Sequence, residues 1–415
     1  MIRPRVSSVR QFLKWLLAAV AAVIVALLII IGPTACYLSR GAWEEARILS
    51  RRKPISAMIA DPSTPAALRA KLTVVEAARQ FAHDSLGLKT GDSFTTYSHV
   101  DHDTLVLVLS AAYRDRLVPY TWWFPIVGRV PYKGYFDFNA GRQAARDLEA
   151  RGFDVYLRPS AAFSTLGFFN DPLLNTTLSG DSLDLANTVI HEVTHNTYYA
   201  PGSVPFNESF ASFVGARGAA ALFRSRGDSL AAAKVDARWQ DDKLLGAFWA
   251  QLSRTLDSAF RAHPTDSLAR LSARDQVYQA ARRTLVDSIA PQLTTISPLY
   301  AQRVQLDNAA LLARRVYGSG LDSFDRLWAR NSYNLRATIR QIIAEARKHP
   351  KTPFEAISTA ADGRDNQSRA ELSPQERAEI DDRSRVPQCF RLGRSVVITQ
   401  RNTFHGRAHS CVDET

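Results

Sequence analysis

His191-Glu192-Val193-Thr194-His195 is the arrangement of residues in this chain best suited to chemistry. On a helix, a spacing of i, i+4 stacks two imidazoles on one face, one turn apart. Two nitrogen ligands of a tetrahedral zinc require that geometry. Glu192 then projects about 100° round from His191, close enough to hydrogen-bond a metal-bound water. The competing reading is a pair of solvated histidines on a helix face. The apolar flank Thr188-Val189-Ile190 and the following Tyr198-Tyr199 argue for a buried helix instead.

A catalytic zinc needs a third protein ligand. The stretch Ser182 to Ile190 reads as the helix that carries the motif, with Ser182 as its N-cap and Pro201-Gly202 stopping it near Ala200. A second helix is expected from about Pro205, carrying Asn207-Glu208-Ser209-Phe210-Ala211. An antiparallel return brings its first turn back to the His195 end, so Glu208 is the expected third ligand. Its alternative role is a carboxylate favouring the helix dipole. Asp184 lies on the His191 face but about 10 Å back along the axis, and Asp228 comes at the far end of the second helix. The metal set is then His191, His195 and Glu208 around one Zn2+ ion. Glu192 is the catalytic base that takes a proton from water and delivers it to the leaving amine. The tetrahedral oxyanion needs a further donor from elsewhere in the chain.

The elements that must hold these groups belong to a chain of 415 residues, 46% apolar and 22% charged. Such a composition excludes a disordered, collagen-like or polytopic membrane protein. Three cysteines exclude a disulfide-dense scaffold and an all-cysteine zinc cage. The net charge of +12 comes from basic residues scattered over helical-looking stretches, a solvated surface with no basic-aromatic module for nucleic acid. At the N-terminus, Arg3, Arg5, Arg10 and Lys14 precede an apolar run from Trp15 to Ile31. As a helix it rises about 25 Å, enough for a thin hydrocarbon core. The positive-inside rule then puts the rest of the chain outside the inner membrane. Cys36 after Ala35 is similar to a lipoprotein cleavage site, although Pro33 stands where a bulky aliphatic residue is usual.

Beyond the anchor, Gly41 to about Ala82 reads as helical, interrupted at Arg51-Arg52-Lys53-Pro54 and restarted after Asp61 to Pro65. Leu105 to Ser110 and Asp154 to Leu157 read as strands, and Tyr120 to Pro125 as an aromatic cleft wall or as plain core. After Phe206 long amphipathic helices run to about Ala361. A polar segment from Asp362 to Pro387 follows, and Cys389 and Cys411 bracket a basic tail in which they could form a disulfide. The expected organisation is therefore an N-terminal signal anchor or lipoprotein-type signal over 1–40, a metallopeptidase domain over 41–361, and a flexible extension over 362–415.

From roughly Gly41 to Trp328 the chain resembles the bacterial predicted-aminopeptidase family, membrane-associated HExxH zinc metallopeptidases of gluzincin type. The resemblance rests on Trp123 to Gly128 with Pro131 to Phe136, on Ser164 to Leu173, on the His191 to His195 motif, on Phe206 to Ala211, and on Asp307 to Leu311 with Tyr317 and Phe324. It implies an α+β, mostly helical fold with a zincin-like catalytic core and a small sheet. It also implies peptide or protein substrates for a zinc-dependent peptidase with the ligands and base given above. In such enzymes an edge strand before the zinc helix pairs with the substrate, and Ala162 to Gly167 is placed to be that strand. Tyr317 is similar in context to a residue that steadies the oxyanion, although a core tyrosine on the same helix would read identically; Tyr198 and Tyr199 are further candidates.

Two positions depart from the family pattern. Gly215 stands where an acidic residue is usual, and Ser212 stands four after Glu208, where thermolysin-like enzymes place an aspartate. Support for the metal ligands would then come from Asn187, Asn207 or another group. No acidic stretch of the kind that grips a free ammonium is present, Asp171 being the nearest candidate by position. Hydrolysis of peptides is thus better supported than attack at the N-terminus. The alternatives are an endopeptidase acting on envelope proteins and a non-catalytic, metal-binding envelope interaction protein.

Overall fold

Prolines divide the first helical stretch into pieces, because proline lacks an N–H and biases the residue before it toward extended backbone. The computed structural model describes residues 15–16, 37, 39–101, 104–124, 128–160, 172–316, 318 and 320–363. In it, helix α1 covers 39–50. Strand β1 (Lys53–Pro54) breaks the helical run, and α2 (Ile55–Ala60) and α3 (Ala66–Asp84) follow, with Pro65 at the N-cap of α3. The interruption and the restart fall where the sequence puts them.

Among the described residues the strands form three small sheets where a single one is expected. β2 (Thr96–Ser98) lies between β1, antiparallel, and β8 (Leu173–Leu174), parallel. β3 (Val106–Ala112) is central between antiparallel β6 (Tyr132–Tyr135) and β7 (Asp154–Ser160). β4 (Trp122–Phe124) and β5 (Gly128–Val130) make a hairpin. Helix α4 (Phe138–Ala150), capped by the Asp137 carboxylate, buries Ala145 and Leu148 against Leu109 and Val155 of the sheet. The aromatic stretch at Tyr120 is packing in part. Tyr120 and Trp122 meet edge to face at 5.0 Å, whereas Trp123 stays exposed.

The rest is helical: α5 (Ser182–Thr197), α6 (Val204–Ser225), α7 (Ser229–Ala262), α8 (Ser267–Thr284), α9 (Leu299–Arg303), α10 (Asn308–Arg315), α11 (Leu321–Arg330), α12 (Leu335–Lys348) and α13 (Pro353–Asp362). The main core gathers around α5 and α6, where Phe206, Phe210 and Phe213 pack on Phe324 of α11. A second core surrounds Trp249, Leu256 and Leu285. Asp154 ties the sheet to the helices. Its carboxylate accepts from Arg274 of α8 and from the Asn308 backbone N–H at 3.0 Å, and the Tyr278 hydroxyl donates to Asn308 at 2.7 Å. The fold is thus α+β and mostly helical, as expected.

Among the described residues no helix is long and apolar enough to cross a membrane. Of the run Trp15 to Ile31 only the first two residues are described, and Cys36, Cys389, Cys411 and the polar segment after Gly363 lie outside the described residues.

Candidate metal centre

The motif helix α5 begins one residue earlier than the sequence suggests. Asp181, not Ser182, is the N-cap, and its carboxylate accepts from the backbone of Leu183 at 3.0 Å and Asp184 at 2.9 Å. Asp184 is engaged by Arg238 at 2.8 Å and takes no part in the metal cluster. The helix ends at Thr197, where Tyr198 turns extended. Asn207 then closes the turn into α6. Its Nδ2 donates to the Ala200 carbonyl at 2.9 Å, and its Oδ1 accepts from the Ala200 N–H at 2.7 Å. With both ends of its amide used there, Asn207 is a turn clamp and not the outer support for a histidine. Glu208, the next residue, is delivered to the His191–His195 face.

How closely α6 can lie on α5 is set by small residues. A Cβ added to Gly215 would stand 2.3 Å from Asn187 Oδ1, 2.9 Å from the Asn187 carbonyl and 3.2 Å from His191 Cβ. At Gly218 it would meet Leu86 at 2.9 Å and Ile190 at 3.0 Å. The position where an acidic residue is usual therefore has no room for one here. What reads in the sequence as lost support is in the structure a contact that sets the helix spacing.

Three side chains converge as a result. His191 Nε2 lies 3.3 Å from His195 Nε2 and 3.4 Å from Glu208 Oε2, and His195 Nε2 lies 3.6 Å from Glu208 Oε1. A tetrahedral zinc with bonds of about 2.0–2.1 Å needs ligand atoms separated by about 3.3 Å. The observed spacings fit that requirement, and among the described residues this is the one group of three or more His, Cys, Asp and Glu side chains able to share an ion. His191 is buried, while His195 and Glu208 are partly exposed to solvent.

The electrostatics suit a cation. Burial drives the His195 pKa down to about 4, with His191 adding to the effect, so His195 is a neutral imidazole with a free lone pair at neutral pH. Burial pulls the same way on His191, but the contact with Glu208 and the charges of Glu192 and Glu208 outweigh it and raise its pKa. Burial opposes ionisation of Glu208. The contact with His191 and the two imidazoles prevail, and its pKa falls below the ordinary carboxylate range. His191 Nδ1, His195 Nδ1, Asn187 Oδ1 and Ser212 Oγ are buried with no hydrogen-bond partner among the described residues. Asn187 is thus buried beside His191 across Gly215, yet it makes no hydrogen bond to that ring.

Glu192 is exposed on the same helix and near enough for its charge to act on His191. The Tyr199 ring stands edge-on to His195 at 6.2 Å. Tyr132, on the edge strand β6, enters the sequence reading only within a family block. Its side chain is half exposed, but burial of the hydroxyl end raises its pKa, and the charges of Tyr199 and Glu208 reinforce the rise against Arg158. The pairing of β6 with β3 places it, and a four-residue strand gives no local sign of that. Tyr317, Asp171 and the expected strand Ala162 to Gly167 lie outside the described residues. Next to Tyr317, the Gly318 carbonyl rests 2.7 Å from where a Gly246 Cβ would stand on α7.

A family model described as “Putative aminopeptidase” matches residues 36–355, most of the chain. No curated protein and no solved structure matches it.

Proposed function

This chain belongs to that aminopeptidase family, and from this premise we propose that it is a zinc-dependent peptidase held at the bacterial inner membrane by Trp15 to Ile31. Its catalytic body then stands on the periplasmic side. The convergence of His191, His195 and Glu208 at tetrahedral spacing is the observation that supports the reading most. Zinc held there would supply Lewis acidity toward water and toward the scissile carbonyl.

The chain's own residues supply the rest. Glu192 accepts the proton of the attacking water and returns it to the leaving amine, which separates as the peptide bond breaks. Tyr132, half exposed, is a protonated phenol at neutral pH, and the Glu208 charge resists loss of its proton further. It is therefore available, with Tyr199 and Tyr317, to donate to the developing oxyanion. Asn207 and Gly215 act at one remove, by fixing where Glu208 stands relative to the two imidazoles.

The test is digestion of a peptide library by the purified full chain, read by mass spectrometry with and without a chelator. Cleavage should stop with the chelator and return with zinc. Glu192→Gln should lose about 10²–10⁴-fold in rate while still holding metal. Equal cleavage by wild type and Glu192→Gln would sink the mechanism. Binding of metal with no cleavage by either would favour the non-catalytic interaction protein. Loss of activity when substrate N-termini are acetylated separates an aminopeptidase from an endopeptidase.

A further inference from the structure

The β4–β5 hairpin has two unlike faces. On the inner one, Phe124 lies 5.6 Å from the Tyr37 ring, and Tyr37 in turn meets Tyr135 of β6 at 6.4 Å. The Lys133 ammonium sits over both tyrosines, at 4.6 and 5.2 Å. On the outer face Trp123 and Arg129 are direct cross-strand partners, both exposed, with Trp123 at 61%. A large exposed indole beside a guanidinium is costly to leave in water and well matched to a bilayer interface, where an apolar body and a positive charge both find partners.

Where the chain enters this region decides between possible occupants. Tyr37 follows Ile31 by six residues, which can span at most about 20 Å. If Trp15 to Ile31 crosses the bilayer, Tyr37 and the hairpin packed on it cannot stand farther than that from the lipid surface. Trp43, exposed at 67%, lies on α1 about 9 Å further along the same segment. We propose that Trp123 and Arg129 of the hairpin, with Trp43 of α1, dock the catalytic body onto an anionic lipid bilayer. This rests on the anchoring reading above and adds a second, peripheral contact to it.

The experiment reconstitutes the full chain into phosphatidylethanolamine and phosphatidylglycerol vesicles whose acyl chains are brominated near the headgroup. Flotation and tryptophan quenching are measured together. Wild-type protein should float and be quenched. Trp123→Phe should float equally, cleave a soluble peptide at the wild-type rate, and lose about a third of the quenching, being one of three tryptophans expected near an interface with Trp43 and with Trp15 at the start of the anchor. Trp43→Phe should behave alike, and Arg129→Gln should lose the quenching gained when phosphatidylglycerol replaces phosphatidylcholine. Protein that floats with quenching unchanged by Trp123→Phe overturns the docking alone. Protein that does not float overturns the anchor and the docking with it. Dimers that dissociate on Trp123→Phe, with quenching unchanged, would assign the face to a second copy and overturn the docking.

Discussion

The two halves of α6 treat charge in opposite ways. In its second half, Arg217 is buried and engaged on every side. Its guanidinium donates to Asp325 from Nε at 3.0 Å and Nη2 at 2.8 Å and to Asp236 from Nη1 at 2.8 Å, and it lies over the Trp328 ring at 4.7 Å. Asp325 also accepts from Trp239 at 2.9 Å and pairs with Lys243 at 2.7 Å. In its first half, Glu208 meets two imidazoles at 3.4 and 3.6 Å, longer than good hydrogen bonds, and the far nitrogens of both rings are unpartnered among the described residues. Buried polar groups are normally paired. Arg217 meets that rule fully, whereas the cluster around Glu208 leaves buried ring nitrogens without a partner among the described residues.

The largest expected difference between the halves is in stability. Asp325→Asn should cost about 3 kcal/mol in denaturant unfolding, because it leaves Arg217 with Asp236 alone and Lys243 with the exposed Asp322 alone. Zinc bound per folded molecule should stay the same. Glu208→Gln should shift the chelated protein by less than about 1 kcal/mol and remove most of its zinc affinity. If the two variants exchange behaviours, the contrast is false.

Gly215→Ala acts where the two demands meet. Inserting its methyl against Asn187 and His191 should cost about 1–3 kcal/mol and spread α5 from α6. Zinc affinity should then fall by about 10–100-fold, the range for lost support of a metal site. A variant with weakened stability and wild-type affinity would mean that helix spacing does not control the site.

Acidification gives a smaller separation, readable by following zinc release and unfolding together. His191 has a raised pKa in the metal-free protein, so protons compete with zinc as pH falls through that raised value, about tenfold in affinity per pH unit. A second proton joins only near pH 4, where His195 titrates. Burial works against ionisation of Asp325, but Arg217 and Lys243 hold its pKa below the ordinary value. Its contribution to stability is therefore complete above that ordinary value and is lost only as pH falls through the lowered one. Zinc should leave before the Arg217 network fails, and simultaneous loss would contradict the assignment of separate roles.

Much of this was legible in the sequence where periodicity and spacing act locally. The i, i+4 histidines fix one face of α5, and Pro201-Gly202 forces the return that brings Glu208 back. The start of α5 was misread by one residue because Asp181 and Ser182 are both good caps, and which one accepts from the first turn depends on backbone angles that composition does not set. The three separate sheets were not foreseen. β8 has two residues, too few for any alternation, and it pairs with β2 across a long stretch of chain. Gly215 reads as a missing carboxylate because a close approach between helices leaves no local trace.

The central claim is that His191, His195 and Glu208 hold one zinc between them. It is tested most directly by the metal content of the purified full chain after exhaustive dialysis, read by mass spectrometry of the elements. Wild type and Glu192→Gln should each retain one zinc per chain, and Glu208→Ala, folded by circular dichroism, should retain almost none. A folded Glu208→Ala that keeps a full equivalent of zinc would show that the ion is held by other groups.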